Sequence, residues 1–83
     1  MSEDKSIEAL VSQVISSLVD EPESITVESV EEGGSLIINV SVAPDDVGKV
    51  IGRQGRVIKS LRTIARAAST YAGGKHIEVE ILD

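Results

Sequence analysis

The stretch Val47-Gly48-Lys49-Val50-Ile51-Gly52-Arg53-Gln54-Gly55-Arg56-Val57-Ile58-Lys59 constrains the fold of this chain more than any other. Apolar residues recur at helical spacing before it (Val47, Val50, Ile51) and after it (Val57, Ile58, Leu61, Ile64, Ala65). Two glycines, Gly52 and Gly55, interrupt that pattern and bracket Arg53 and Gln54. The spacing therefore predicts a tight hinge between two short helices, with no room for a long loop. Such a hinge suits a sugar–phosphate strand. Glycine has no Cβ, so a second backbone can approach closely. The helix that begins near Gly55 directs unpaired N–H groups and a positive dipole end at the hinge. Lys49 lies one turn before it, Arg53 within it, and Arg56 and Lys59 just after it. Val47 and Ile51 offer an aliphatic surface beside it.

The rest of the chain supplies a small scaffold. Met1 to Asp4 is polar and expected to fray. Ile7, Leu10, Val11, Val14, Ile15 and Leu18 form one stripe of an amphipathic helix, with Glu8, Ser12, Gln13 and Ser16 opposite and Asp20-Glu21-Pro22 as its stop. Ile25, Val27 and Val30 predict a short strand, and Glu31-Glu32-Gly33-Gly34 a turn. Leu36, Ile38, Val40 and Val42 alternate with Ile37, Asn39 and Ser41, as in a strand with one buried face. This second strand is the more apolar and so is expected at the centre of the sheet. Pro44-Asp45-Asp46 opens the next helix, and capping explains the two acids. Beyond the hinge, Val57, Ile58, Leu61, Ile64, Ala65 and Ala68 are expected to face inward, Arg56, Lys59, Thr63 and Arg66 outward, and Gly73-Gly74 to end the helix. His76 to Leu82 alternates as a last strand. The order is α-β-β-α-α-β. A helical crossover makes the central and last strands parallel. The expected fold is α+β, a three-stranded mixed sheet covered on one face by three helices.

Val50-Ile51-Gly52-Arg53-Gln54-Gly55-Arg56-Val57-Ile58-Lys59 closely resembles the K-homology (KH) signature V-I-G-x-x-G-x-x-I-K. The resemblance extends over almost the whole chain to the small bacterial single-KH RNA-binding proteins of the KhpA type. It implies a single type II KH domain over residues 1–83, in which the Gly-x-x-Gly loop clamps about four nucleotides of a single strand. Carried over residue by residue, Gly52, Arg53, Gln54 and Gly55 form the clamp. Lys49, Arg56 and Lys59 add attraction, and Ile51 with Val47 floors the bases. The resemblance further implies an RNA chaperone or post-transcriptional regulator. It also implies self-association, or pairing with a larger Jag-type protein that carries its own KH domain. Ile64, Ala67, Ala68, Tyr71 and the sheet edges are the candidate contact surfaces for such an interaction module.

Taken alone, the net charge of −6 argues against a polyanion ligand. Its distribution reverses that impression. Residues 47–77 contain seven of the eight basic residues and no acid, for +7, whereas the remainder carries −13. An acidic body with one basic segment attracts a polyanion at one place. The alternative is a solvated basic helix face and a ligand-free helix corner, but no acids are interleaved to pair with the bases.

Other classes find little support. There is no cysteine and one histidine, His76, so disulfides, thiolate zinc sites and multi-histidine metal sites are excluded. Gly55 is followed by Arg56-Val57, unlike a P-loop, and the glycines do not fit G-x-G-x-x-G. No catalytic residue, metal ligand or cofactor site is assigned. No run of about 18 apolar residues occurs, so a cytoplasmic protein without a membrane segment is expected. Tyr71 is the sole aromatic, so base stacking of the RRM kind is not available. Modest, salt-sensitive affinity follows. Single-stranded DNA stays open, because a backbone clamp distinguishes RNA chiefly through the 2′-OH.

Overall fold

The computed structural model describes residues 3–69 and 76–82, with side chains described from 7 to 68 and from 76 to 82. Tyr71, Gly73, Gly74 and Lys75 lie outside the described residues. The elements are α1 (Glu3–Ser16), β1 (Thr26–Glu32), β2 (Ser35–Ser41), α2 (Val47–Ile51), α3 (Arg56–Ser69) and β3 (His76–Leu82). Short 3-10 turns lead into β1, into α2 and across the hinge. The order is the expected α-β-β-α-α-β.

The sheet order is β1-β2-β3. β2 pairs antiparallel with β1, from Thr26 opposite Ser41 to Glu32 opposite Ser35. It pairs parallel with β3, from Ser35 opposite His76 to Ser41 opposite Leu82. The apolar content of β2 explains its place. Leu36, Ile38 and Val40 are at most 1% exposed, and such side chains gain about 1.5–3 kcal/mol each from full burial. A strand between two others buries them best. Ile77 and Val79 of β3 continue that face, and Ile7, Val11 and Ile15 of α1 with Ile58, Leu61 and Ala65 of α3 cover it. The other face carries Glu28, Val30, Asn39, Glu78, Glu80 and Leu82, and no described helix covers it.

Several local expectations are corrected. The buried stripe of α1 is narrower than its apolar spacing, because Leu10 is 36% and Leu18 37% exposed. Glu8 is not on the solvent side; it is half-buried and accepts a hydrogen bond from Ser29 Oγ of β1. α1 stops at Ser16, four residues before Asp20. There, Ser16 Oγ and Ser17 Oγ donate back to the carbonyls of Gln13 (2.8 Å) and Val14 (2.6 Å). The backbone bonds shorten to the i−3 type at Ser17 and Leu18. Glu31 and Glu32 belong to β1, so the hairpin turn is only Gly33-Gly34. Ile64, expected inward on α3, is 42% exposed.

Candidate nucleic-acid interface

α2 delivers the chain to the hinge. It has five residues and buries only Val50. Gly52 caps it at φ 78°, with its N–H on the Gly48 carbonyl (2.9 Å). Arg53–Gly55 then form a 3-10 turn in which Gln54 sits in the left-handed region at φ 58°, ψ 24°. Gly55 follows at φ 73°, and α3 starts at Arg56.

The two glycines are needed for different reasons. A Cβ on Gly52 would lie 2.8 Å from Val57 Cβ and 2.9 Å from Val57 N, which the packing of α2 on α3 does not allow. A Cβ on Gly55 would meet nothing closer than Ile58 Cγ2 at 3.8 Å. Gly52 thus makes the corner, while a Cβ at Gly55 would make only ordinary van der Waals contacts. The Gly55 amide is not among the unpaired N–H groups expected where α3 begins. Its N–H donates to Gly52 O (3.1 Å), and that of Arg56 donates to Arg53 O, so both are consumed within the turn. Among the described residues, the N–H groups of Arg53 and Gln54 carry no comparable loop bond.

The basic residues separate into two groups. Arg53, Arg56 and Lys59 are exposed around the turn. Among the described residues none of them pairs with a carboxylate, and Arg56 touches only Gln54 Oε1 (3.4 Å). Gln54 is exposed beside them, and Ile51 is 36% exposed on the α2 side. Val47 is half-buried, so it contributes less of the aliphatic floor.

Lys49 is not in that group. Its ammonium reaches back along α2 to the carboxylates of Asp20 and Asp46, the latter at 3.3 Å. Nor is Asp46 a helix cap, since its side chain makes no capping bond. It is buried and accepts hydrogen bonds from the N–H groups of Asp20 and Glu21, each at 3.1 Å. Those bonds, with the Asp20 N–H foremost, hold its carboxyl below the usual aspartate range despite burial. Hydrogen bonding to Asp20 above all, with Asp46 added, raises the Lys49 ammonium above the ordinary lysine range. Adjacent acids at a helix start read as caps; only tertiary placement shows that one of them is an anchor.

Arg62 and Arg66 point to another part of the surface. With Glu78, Val79 and Glu80 they line a cleft of about 160 Å³, and Arg62 Nε donates to Val79 O (3.2 Å). The cleft is below the roughly 300 Å³ at which small-molecule sites usually begin. Its glutamates offset the arginines for a polyanion. Among the described residues, no group of three or more His, Asp or Glu could hold a metal ion. No described helix is long and apolar enough to cross a membrane.

A three-stranded mixed sheet backed by helices, two of them joined through Gly-x-x-Gly, defines a KH domain of the type II arrangement. The family model described as "KhpA/KhpB, KH domain" matches residues 8–81, and the chain belongs to that family. "RNA-binding protein KhpA" of Oceanobacillus iheyensis is 42% identical over 76 residues, which are 92% of this chain and all of that protein. The protein of the same name from Clostridium perfringens is 44% identical over 73 residues, 88% of this chain and 96% of that one. That of Listeria monocytogenes is 36% identical over 77 residues, 93% of this chain and all of the relative. Among solved structures, Aquifex aeolicus Era bound to GDP·AlF4− superposes with a TM-score of 0.64 at 22% identity. The match covers 90% of this chain but only 29% of the larger one, and it shows the fold alone.

Proposed function

We propose that this protein binds single-stranded RNA through the Gly52–Gly55 turn, as a small RNA chaperone or regulator of transcripts. The observation that carries this reading is the set of three exposed cations, Arg53, Arg56 and Lys59, gathered around the Gly52–Gly55 turn with no acidic partner among the described residues. Family membership and the printed names of the relatives support RNA as the ligand. In this reading Arg53 and Gln54 contact the phosphates, Arg56 and Lys59 add attraction, and Ile51 supports the bases. Fluorescence anisotropy with a labelled mixed-sequence RNA tests it. The Arg53→Asp/Gln54→Asp double variant, folded and of unchanged mass, is expected to lose binding. Equal binding by the variant makes the turn a structural corner. The same strand as DNA reports whether the 2′-OH matters.

A second reading, as an interaction module, is favoured by Ile64. Its side chain is 42% exposed on α3, next to the exposed Ala67 and half-buried Ala68. We propose this surface for a second copy or for a larger Jag-type partner. Ile64→Asp is expected to lower the mass seen by light scattering if the chain pairs with itself. A wild-type mass that stays monomeric at all concentrations removes the homodimer.

A further inference from the structure

A five-residue helix with little buried surface can pivot on its core contact. α2 fully buries only Val50, with Val47 packed in part against the core, yet its far end must present the hinge in a fixed direction. A second fixed point is therefore needed, and the structure contains one at the other end of the helix. The Asp46 side chain is 2% exposed, and its two oxygens divide three donors between them. Asp20 N–H and Lys49 Nζ go to Oδ1, and Glu21 N–H goes to Oδ2. Two of these donors belong to the segment after α1, more than twenty residues away in sequence. The third belongs to α2 itself. A buried carboxylate is tolerated only when paired and hydrogen-bonded, so all its partners are held to it. Lys49 completes the arrangement by also pairing with Asp20, and in doing so it spends its charge at the end of α2 remote from Gly52.

We propose that Asp46 is a positioning residue for the clamp, locking α2 to the segment after α1 so that the Gly52–Gly55 turn is held in one orientation, and that Lys49 is the counter-ion of this lock and not a phosphate contact. The proposal rests on the reading of the turn as an RNA clamp. It reverses the role that the motif implies for Lys49. It also makes α2 a lever about 7.5 Å long, at 1.5 Å per residue, between the lock and the clamp.

The test compares the wild type with Asp46→Asn, Lys49→Met, their double variant and Arg53→Asp/Gln54→Asp. Each is checked for mass and cooperative melting, then titrated with the same mixed-sequence RNA at several salt concentrations. Asp46→Asn and Lys49→Met are each expected to weaken binding about fivefold or more, the usual scale of coupling between separate sites. Both are expected to keep the wild-type slope of log K against log salt. The double variant is expected to bind no more weakly than the weaker single, because the two residues act as one unit. In the folded Asp46→Asn chain the amide resonances of residues 52–55 are expected to move while those of β3 do not. A Lys49→Met slope shallower by about 0.7, the value of one single-strand phosphate contact, overturns the counter-ion role. Wild-type affinity in Asp46→Asn overturns the positioning role. Should Asp46→Asn not fold, Lys49→Met alone decides, since that side chain is 42% exposed. Undiminished binding by Arg53→Asp/Gln54→Asp is a different failure, that of the clamp reading itself.

Discussion

Gly52 and Gly55 occupy equivalent letters of one motif but answer to different forces. Gly52 combines a left-handed φ with a neighbour, Val57, already at contact distance. Its backbone at φ 78°, ψ 173° is essentially restricted to glycine and costs an L-residue about 1–3 kcal/mol, and forced overpacking adds about 1–3 kcal/mol. Gly52→Ala is therefore expected to destabilise the fold by about 3 kcal/mol, seen as a lower denaturant midpoint. Gly55→Ala makes only ordinary van der Waals contacts, with Ile58 and Lys59, and is expected to cost only about 1 kcal/mol through its positive φ. Its larger effect is expected on RNA affinity, because the added methyl lies in the turn itself, beside Lys59. The two variants thus separate stability from binding, with denaturation and anisotropy measured on the same samples. Gln54 pays a related cost at φ 58°. An exposed residue held there fits a ligand contact, and Gln54→Gly is expected to melt higher by a few degrees while binding RNA more weakly.

At the scale of elements, the Asp46 anchor makes the joint between α1 and α2 sensitive to pH at both ends of the range. The Asp46 carboxyl titrates lower in the folded chain than in the unfolded one. Its contribution is present above the unfolded value, about 3.9, and is lost as pH falls through the depressed folded value. The Lys49 ammonium titrates higher in the folded chain. Its contribution is full below about 10.4 and is lost as pH rises through the raised folded value. Melting temperature against pH is expected to fall at both extremes in the wild type. The acid arm is expected to be shallower in Asp46→Asn, which has no carboxyl to protonate at that position.

The elements themselves were legible from spacing. Ile7, Val11 and Ile15 marked α1, and the alternation from Leu36 to Val40 marked a central strand. Gly52 and Gly55 marked the hinge. Each of these signals is local, with a period of two or four residues. What spacing could not show was pairing across distance. Lys49 reads as one more cation beside the clamp until Asp20 and Asp46 are placed next to it. Ile64 reads as core until α3 is seen to turn it outward. Leu10 and Leu18 read as core for the same reason, since a stripe's width is set by the neighbour that covers it.

For the whole molecule, the useful quantity is the number of cations left for a ligand. Seven basic residues fall in the 47–77 segment, but Lys49 is spent on Asp46 and Asp20, and Arg62 and Arg66 stand beside Glu78 and Glu80. Lys75 lies outside the described residues. Arg53, Arg56 and Lys59 remain. At about 0.7 per single-strand phosphate contact, the salt dependence of binding is expected to have a slope near −2. A slope near −5 in anisotropy titrations would bring the whole basic segment into contact.

The sheet also imposes an order in time. β2 meets β1 across two glycines, but it meets β3 only 41 positions further along, where His76 pairs with Ser35. The hairpin can close in about 1–10 microseconds. The second pairing waits for the intervening helices and, during synthesis at about 5–20 residues per second, for about 2–8 seconds. Through that interval the edge of β2, with Leu36, Ile37 and Ile38 in succession, has no partner on one side. The molecule's greatest exposure to misassociation therefore falls while it is being made, and it ends when β3 docks.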